Sequence, residues 1–314
     1  MKCGRKATLR GKSGRSNLSE ILVTGHSGFI GRQVTNELLK RGYDVCGVSD
    51  KSFLPDQKGL RQIKIDLLSE KERNDFFAKN CFDRMIHLAW YVGPKCHCSN
   101  INARWLSASL DILRLFAETG GKVFQSNGTV SEYDFSYGYL RESTPLNNHS
   151  LHGVCKKAFF QTAQSYCSQN NLTFKCSRVF NLYGPYERPT RLMPSVLHSM
   201  LAGEDVKVSD CMKIQDYSHV FDTAAAIVSF LESDVTGAVN ICSGVPVRLR
   251  AIVEKMRELT GFKGKVLYGA IPANFDDPFV VGDNTRLTKE VGYHHKYDLE
   301  TGLKQIIEWE KNHV

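Results

Sequence analysis

Ile21-Leu22-Val23-Thr24-Gly25-His26-Ser27-Gly28-Phe29-Ile30-Gly31 is the stretch on which the fold turns. Its first four residues read as a short buried strand. Three glycines then recur at every third position, and the following pattern predicts a helix to about Lys40. Arg41-Gly42 closes that helix, because glycine suits the left-handed position after a helix C-terminus. Glycines between a strand and a helix permit a tight turn and let backbone amides approach a phosphate group. The helix N-terminus favours that anion electrostatically. The spacing is GxxGxxG rather than GxGxxG, and a strand–helix turn that binds nothing is the competing reading.

Downstream the same alternation continues. Strands are expected over 43–48, 61–66, 84–89, 122–125 and 173–179, and helices over about 100–118 and 152–170. Strands alternating with helices of this length predict an α/β fold with a doubly wound parallel sheet. Such sheets bind ligands at the carboxyl ends of their strands.

The composition fits a globular enzyme. Of 314 residues, 42% are hydrophobic and 24% charged, and no apolar run approaches the roughly 20 residues of a membrane helix. The net charge of +8 is concentrated at the start: residues 1–20 hold six basic side chains against Glu20 alone, leaving 35 basic and 32 acidic residues elsewhere. A nucleic-acid footprint needs its charge on a folded face. Here it falls in a Gly/Ser-punctuated segment, so residues 1–19 are expected to be a basic, disordered leader, with an organelle transit peptide as the alternative. The ten cysteines form no disulfide framework; free thiols in a cytoplasmic protein are the expectation. Cys96-His97-Cys98 lacks the second ligand pair of a structural zinc site, so no metal is expected.

The segment TGHSGFIG resembles the cofactor loop of the extended short-chain dehydrogenases/reductases, the NAD-dependent epimerase/dehydratase family. Other motifs follow in the family's order: Asp66-Leu67, His87-Leu88-Ala89-Trp90 (similar to HLAA), Arg178 to Pro185 (similar to RxxNxYGP), Gln215 to Asp222 (similar to RDYVHVDD), Gly237 to Ile241, and Tyr297 to Leu303. The likeness covers about residues 20–312. It implies a Rossmann domain over 20–180 plus about 211–243, and a smaller interleaved α/β substrate domain from 181–210 and 244–314. It further implies a homodimer packed through the helices near 100–118 and 152–170, and a nucleoside-diphosphate sugar as substrate. No nucleic-acid or membrane partner is expected.

The resemblance carries the dinucleotide onto Gly25, Ser27, Gly28, Phe29, Ile30, Gly31, Asp66, Leu67, Leu88, Ala89, Trp90, Lys156 and Val179. At the end of the second strand, a carboxylate would hydrogen-bond the NAD ribose and a basic group would suit the NADP phosphate. Ser49-Asp50-Lys51 offers both, with Ser49 at the family's acidic position; the balance tips slightly to NADP(H). Turn residues without a ligand role are the alternative.

Family catalysis uses a Tyr-xxx-Lys pair on one helix face with a nearby hydroxyl. Lysine lowers the tyrosine pKa and holds the nicotinamide ribose, and the phenol moves a proton as hydride moves. Here Lys156 is in place but the tyrosine position holds His152. Imidazole titrates near neutrality in model compounds, so His152 is read as the proton group. Loss of the relay, or a step with relaxed proton demands, are the rival readings. For the hydroxyl, aligning Tyr133-Asp134 with the family's Tyr-Gly selects Thr129, whereas counting from the strand selects Asn127. The Gly-Thr-x-x-Glu-Tyr-Asp run resembles a branch of 4-keto-sugar reductases such as CDP-abequose synthase, which favours Thr129. Tyr91, Thr129, Asn181, Arg191 and Gln215 are the candidate substrate residues, with Lys207, Lys213 and Arg248 as further basic groups for a pyrophosphate.

The expected activity is therefore an NAD(P)-dependent reductase or epimerase working by hydride transfer at a sugar carbon, most often C4. A 4,6-dehydratase is disfavoured, because Val130-Ser131 follow Thr129 where such enzymes resemble a Thr-Asp-Glu triad. A catalytically inactive dinucleotide-binding regulator or scaffold is the alternative from another class.

Overall fold

The computed structural model describes residues 20–147, 149–273 and 278–313. The leader expected over 1–19 lies outside them.

In chain order the elements are β1 (Ile21–Thr24), α1 (Phe29–Lys40), β2 (Val45–Ser49), β3 (Leu60–Lys64), α2 (Glu70–Lys79), β4 (Arg84–His87), α3 (Ile101–Glu118), β5 (Val123–Thr129), β6 (Tyr139–Leu140), α4 (Leu151–Gln169) and β7 (Thr173–Val179). There follow β8 (Asn181–Tyr183), α5 (Leu192–Leu201), β9 (Val206–Val208), β10 (Ile214–His219), α6 (Val220–Glu232), β11 (Gly237–Ile241), β12 (Pro246–Arg248), α7 (Leu249–Thr260), β13 (Val266–Tyr268), β14 (Phe279–Gly282) and α8 (Leu299–Lys311). By packing, the described residues form two compact units, one from 20–128 and 149–177, the other from the described residues of 129–147 and 178–313.

The main sheet has seven strands in the order β11-β7-β5-β4-β1-β2-β3. Pairs β1–β2, β1–β4, β2–β3 and β4–β5 are parallel. Read from β3, the order 3-2-1-4-5 is that of a doubly wound Rossmann sheet, whose order reverses between β1 and β4. Sequence explains β1 directly: a strand covered on both faces must be apolar throughout, and all four of its residues are buried. The helix after it ends as expected, with Gly42 at φ +87°. The fifth strand is longer than expected, running beyond Gln125 to Thr129. Its register with β4 covers Val123 to Ser126, so Asn127 to Thr129 extend past that neighbour.

The core of the first unit includes Ile21, Leu22, Val34, Leu38, Met85, Ile86, Ile112, Phe116 and Phe124, all under 1% exposed. In the second unit β6, β14, β10 and β12 form a small sheet with β8 added on β10. A core of Met193, Leu197, Met200, Ile252, Met256 and Leu303 packs there.

Candidate active site

The turn after β1 is shaped by what its glycines lack. Gly25 sits at φ +67°. A Cβ on Gly31 would lie 2.0 Å from the Gly25 carbonyl oxygen, so only hydrogen fits where α1 crosses the loop. Gly28 is the N-cap of α1; no side chain caps the helix and its first turn has no acidic residue. Its leading amides are thus open to an anion, and the loop fits the diphosphate of a dinucleotide. Gly28→Val would set methyl groups beside the Gly25 oxygen, which a Cβ there already approaches to 3.3 Å. Overpacking of that kind costs about 1–3 kcal/mol. Dinucleotide affinity measured by calorimetry should fall about 10- to 100-fold while circular dichroism keeps its native shape; unchanged affinity would argue against this loop as the phosphate site.

Beside the loop, Ser27 Oγ donates to Ser49 Oγ and Ser52 Oγ donates to Ser27 Oγ, each at 3.0 Å. Asp50 and Lys51 are exposed. Sequence reading missed His26: its imidazole is buried and bonded to Gln62 Oε1 at 2.8 Å. A Cβ on Gly47 would stand 2.4 Å from that ring, so the glycine in β2 makes room for it. Asp66 is exposed and caps its own turn through Leu68 N, while Leu67 is buried. Leu88 and Ala89 follow β4, bonding back to Thr24 through their amides. Phe29 and Ile30 are half-buried in the first turn of α1.

The candidate chemical centre lies at the start of α4. Ser150 caps that helix by accepting from Gly153 N, which sets His152 in the first turn and Lys156 one turn later on the same face. Lys156 Nζ donates to the Asn127 carbonyl at 2.7 Å and stands 3.9 Å from the Trp90 ring centre. The resemblance expects lysine to face a ribose; here the indole also borders it. The His152 Nδ1 lies 3.2 Å from Asn102 Oδ1, and Trp90 Nε1 donates to the same oxygen at 2.8 Å. His97 adds an edge-on ring contact, and its carbonyl accepts from His152 N. Burial, reinforced by the charges of Lys156 and His97, pulls the His152 imidazole down to about 3. His152 is therefore a neutral imidazole at physiological pH. His87 is likewise pulled down to about 3 by burial and Lys156. Its nitrogens are taken by Thr24 Oγ1 and Ser109 Oγ, which makes it a structural ring.

Trp90, His152 and Lys156 are thus brought together in the first unit, joined by Asn102, which sequence reading missed. Nothing local marks Asn102; its role comes from the 91–100 segment folding back on α3, held by its Nδ2 donating to the Cys96 and Ser99 carbonyls. Tyr91 uses its hydroxyl on the Pro94 carbonyl. Cys96 is half-buried and Cys98 exposed, and among the described residues no group of three His, Cys, Asp or Glu side chains could hold a metal.

The remaining candidates belong to the second unit. Thr129 Oγ1 accepts from Ser131 N and its amide donates to Glu132 Oε1, a reciprocal cap that fixes its rotamer. Val179 ends β7 buried. Asn181 Nδ2 donates to the Asp216 carbonyl at 3.3 Å. Arg191 Nε lies 3.5 Å from Glu187. Gln215 is half-buried on β10. Lys207 and Arg248 are exposed and Lys213 is half-buried. The conspicuous Arg178 and Asp216 are buried and internally satisfied: Asp216 accepts from Ser243, Gly244 and Gly282.

Residues 21–242 match the model of the NAD dependent epimerase/dehydratase family. The chain belongs to this family. As an epimerase/dehydratase-family enzyme it is 28% identical to the dTDP-6-deoxy-L-talose 4-dehydrogenase (NAD(+)) of Aggregatibacter actinomycetemcomitans, over 83% of this chain and 98% of that relative. It is 25% identical to UDP-glucuronate 4-epimerase 1 of Arabidopsis thaliana, over 94% of this chain and 77% of the relative. The structure of a UDP-glucose 4-epimerase with UDP-glucose from Thermotoga maritima shares the fold, with a TM-score of 0.85, 24% identity, and 94% and 99% of the two chains covered. No described helix of this family member is long and apolar enough to cross a membrane.

Proposed function

We propose that this enzyme exchanges hydride at C4 of a nucleoside-diphosphate sugar, as a 4-epimerase or 4-oxidoreductase, with His152 moving the proton. The observation that carries the reading is the buried imidazole of His152 one helical turn before Lys156, in a chain whose glycine-rich loop opens an uncapped helix. Relatives named for 4-epimerisation and 4-dehydrogenation support C4 as the reacting carbon. A bound nicotinamide dinucleotide would supply the hydride acceptor or donor. Gly25 to Gly31 would hold its diphosphate, with Ser49, Asp50, Lys51, Asp66, Leu67, Leu88, Ala89 and Val179 toward its adenosine and ribose. Lys156 would orient the nicotinamide ribose, and Thr129 the sugar oxygen. Tyr91, Asn181, Arg191 and Gln215 are proposed for the substrate.

Ser49 in place of a carboxylate, hydrogen-bonded to Ser27 and followed by Lys51, favours NADP(H) over NAD, whereas the NAD(+) in the name of the 28% identical relative favours NAD. A homodimer through α3 and α4 is supported by Val154, an exposed apolar side chain on α4, and by the half-buried Trp105, Leu106 and Leu110 on α3. The nine cysteines among the described residues are free thiols, which supports a reducing, cytoplasmic setting that subcellular fractionation reads.

Native mass spectrometry of the purified protein should find a dimer carrying one dinucleotide per chain, its mass distinguishing NAD from NADP. A nucleotide-sugar panel, followed by absorbance at 340 nm and by NMR of the products, should then identify a C4 epimer or a C4 ketone/alcohol pair. Bound dinucleotide with no turnover on any sugar nucleotide would replace this reading with that of a non-catalytic binder, a role consistent with Lys156 lying against the Trp90 face.

A further inference from the structure

The hydrogen bonds around His152 determine which ring nitrogen holds the proton. The Asn102 side chain has one orientation available. Its Nδ2 lies 2.7 Å from the Cys96 carbonyl and 2.8 Å from the Ser99 carbonyl. Carbonyl oxygens only accept, so the amide NH2 must face them and Oδ1 must face the other way. At Oδ1 the indole N–H of Trp90, a donor only, is already placed at 2.8 Å. An amide oxygen cannot donate, so the His152 Nδ1 at 3.2 Å meets a pure acceptor. A bare Nδ1 there would oppose two lone pairs in a buried site, at the cost of an unmade hydrogen bond. The neutral ring therefore carries its proton on Nδ1 and a lone pair on Nε2.

We infer that His152 acts as a base through Nε2, and that Asn102 and Trp90 are positioning residues that hold it in that tautomer. The inference rests on the proposed C4 chemistry. It adds a direction: the site is set to take a proton from a hydroxyl, which suits entry by oxidation of an alcohol rather than by reduction of a ketone. The O–H bond at C4 breaks and an Nε2–H bond forms. The electron pair left on oxygen becomes the carbonyl bond; a nicotinamide dinucleotide, which Gly25 to Gly31 and Lys156 would hold, would supply the oxidant for the hydride lost from C4. On return of the hydride, Nε2 gives its proton back to the oxygen. The imidazolium formed in between keeps its Nδ1–H on Asn102 Oδ1. That contact opposes the groups that disfavour the charge: Lys156 from its own helix, His97 from the 91–100 segment, and the positive end of the α4 dipole.

The same arrangement explains Trp90, where the resemblance has alanine. Its indole N–H serves Asn102 while its face covers Lys156. One side chain thereby fixes both members of the His-xxx-Lys pair.

The test is long-range 1H–15N correlation NMR on the full chain with 15N-labelled histidine, His152 being assigned by its loss in His152→Gln. The expected result is a pyrrole-type Nδ1 and a pyridine-type Nε2; the opposite pattern overturns the inference. Asn102→Leu should shift the ring toward the Nε2–H tautomer. It should lower kcat about 10- to 100-fold, the scale of one lost buried hydrogen bond, with KM for the sugar nucleotide nearly unchanged. Trp90→Phe, which keeps a ring over Lys156 but deletes the donor, should move the tautomer less. Asn102→Asp should preserve the Nδ1–H form and raise the pH at which the ring titrates. Should Asn102→Leu leave tautomer and kcat as in the parent, the positioning role is wrong. An Nε2–H ring with intact turnover removes this inference and leaves the C4 reading standing. An Nδ1–H ring with no turnover on the panel removes the C4 reading, and the role as base with it.

Discussion

His152→Ala is expected to lower turnover by about 10²–10⁴-fold, the usual contribution of a positioned acid or base, while dinucleotide affinity stays within about twofold of the parent. The two effects separate because different elements hold them. The proposed phosphate loop lies between β1 and α1, and its geometry depends on Gly25, Gly28 and Gly31. His152 lies at the start of α4 and contacts Asn102, Trp90 and His97 instead. Removing the imidazole deletes a group that is 7% exposed, and the hole it leaves is bordered by polar groups that water can serve. The pH profile adds a second reading. Because burial, Lys156 and His97 pull this ring down to about 3, the imidazole proposed as the base is unprotonated throughout the neutral range. The acidic limb of kcat/KM should therefore lie well below the ordinary histidine pKa near 6.5. A parent enzyme whose rate falls through pH 6.5, together with an alanine variant of undiminished activity, would show that another group moves the proton.

Arg178→Met should destabilise the chain by about 3–5 kcal/mol, because it leaves a carboxylate buried without its partner. Arg178 is 1% exposed and Glu132 is equally inaccessible, with Nε to Oε2 at 3.0 Å. The guanidinium also donates to the Tyr133 hydroxyl and the Glu142 carbonyl. The Tyr133 hydroxyl in turn donates a hydrogen bond to Asn240 Oδ1 at 2.6 Å, and Asn240 N donates to Glu142 Oε1. This network ties the turn after β5 to β7, β11 and the segment after β6. A methionine fills much of the volume but satisfies none of those acceptors. Paired with Glu132→Leu the loss should shrink, since the stranded charge is gone; a double-mutant cycle in urea measures the coupling. A single variant within 1 kcal/mol of the parent would mean that the pair is already hydrated. The network also reaches the candidate hydroxyl, because Glu132 Oε1 accepts from Thr129 N. Loss of Arg178 should therefore loosen Thr129 before it unfolds the unit.

Residues with a periodic or local signature were legible in advance. The strand at Ile21–Thr24, the helix closed at Gly42 and the helices carrying Ile101 and His152 follow from apolar spacing and turn chemistry. Lys156 could be placed because a pair four residues apart on a helix shares one face. The end of β5 was less legible: Asn127-Gly128-Thr129 contains polar and glycine residues that locally favour a turn, yet they continue the strand. Arg178 stands in the stretch similar to RxxNxYGP, and its charge is neutralised internally by Glu132. A sequence lists a charge but not the partner that neutralises it.

By itself the sequence determined that a glycine-punctuated turn joins the first strand to the first helix, since three glycines follow a short apolar run and precede a helical pattern. It also placed an imidazole, His152, four residues before Lys156, where the resemblance expects a phenol. Only the tertiary structure decided what kind of imidazole that is. Asn102 and His152 are 50 residues apart, and Trp90 and Asn102 are 12 apart. Their convergence depends on the 91–100 segment folding back on α3 and on α3 packing against α4. Hydrogen bonds across such distances leave no periodicity in the chain, so the proton on Nδ1, and the lone pair it leaves on Nε2, are properties of the fold.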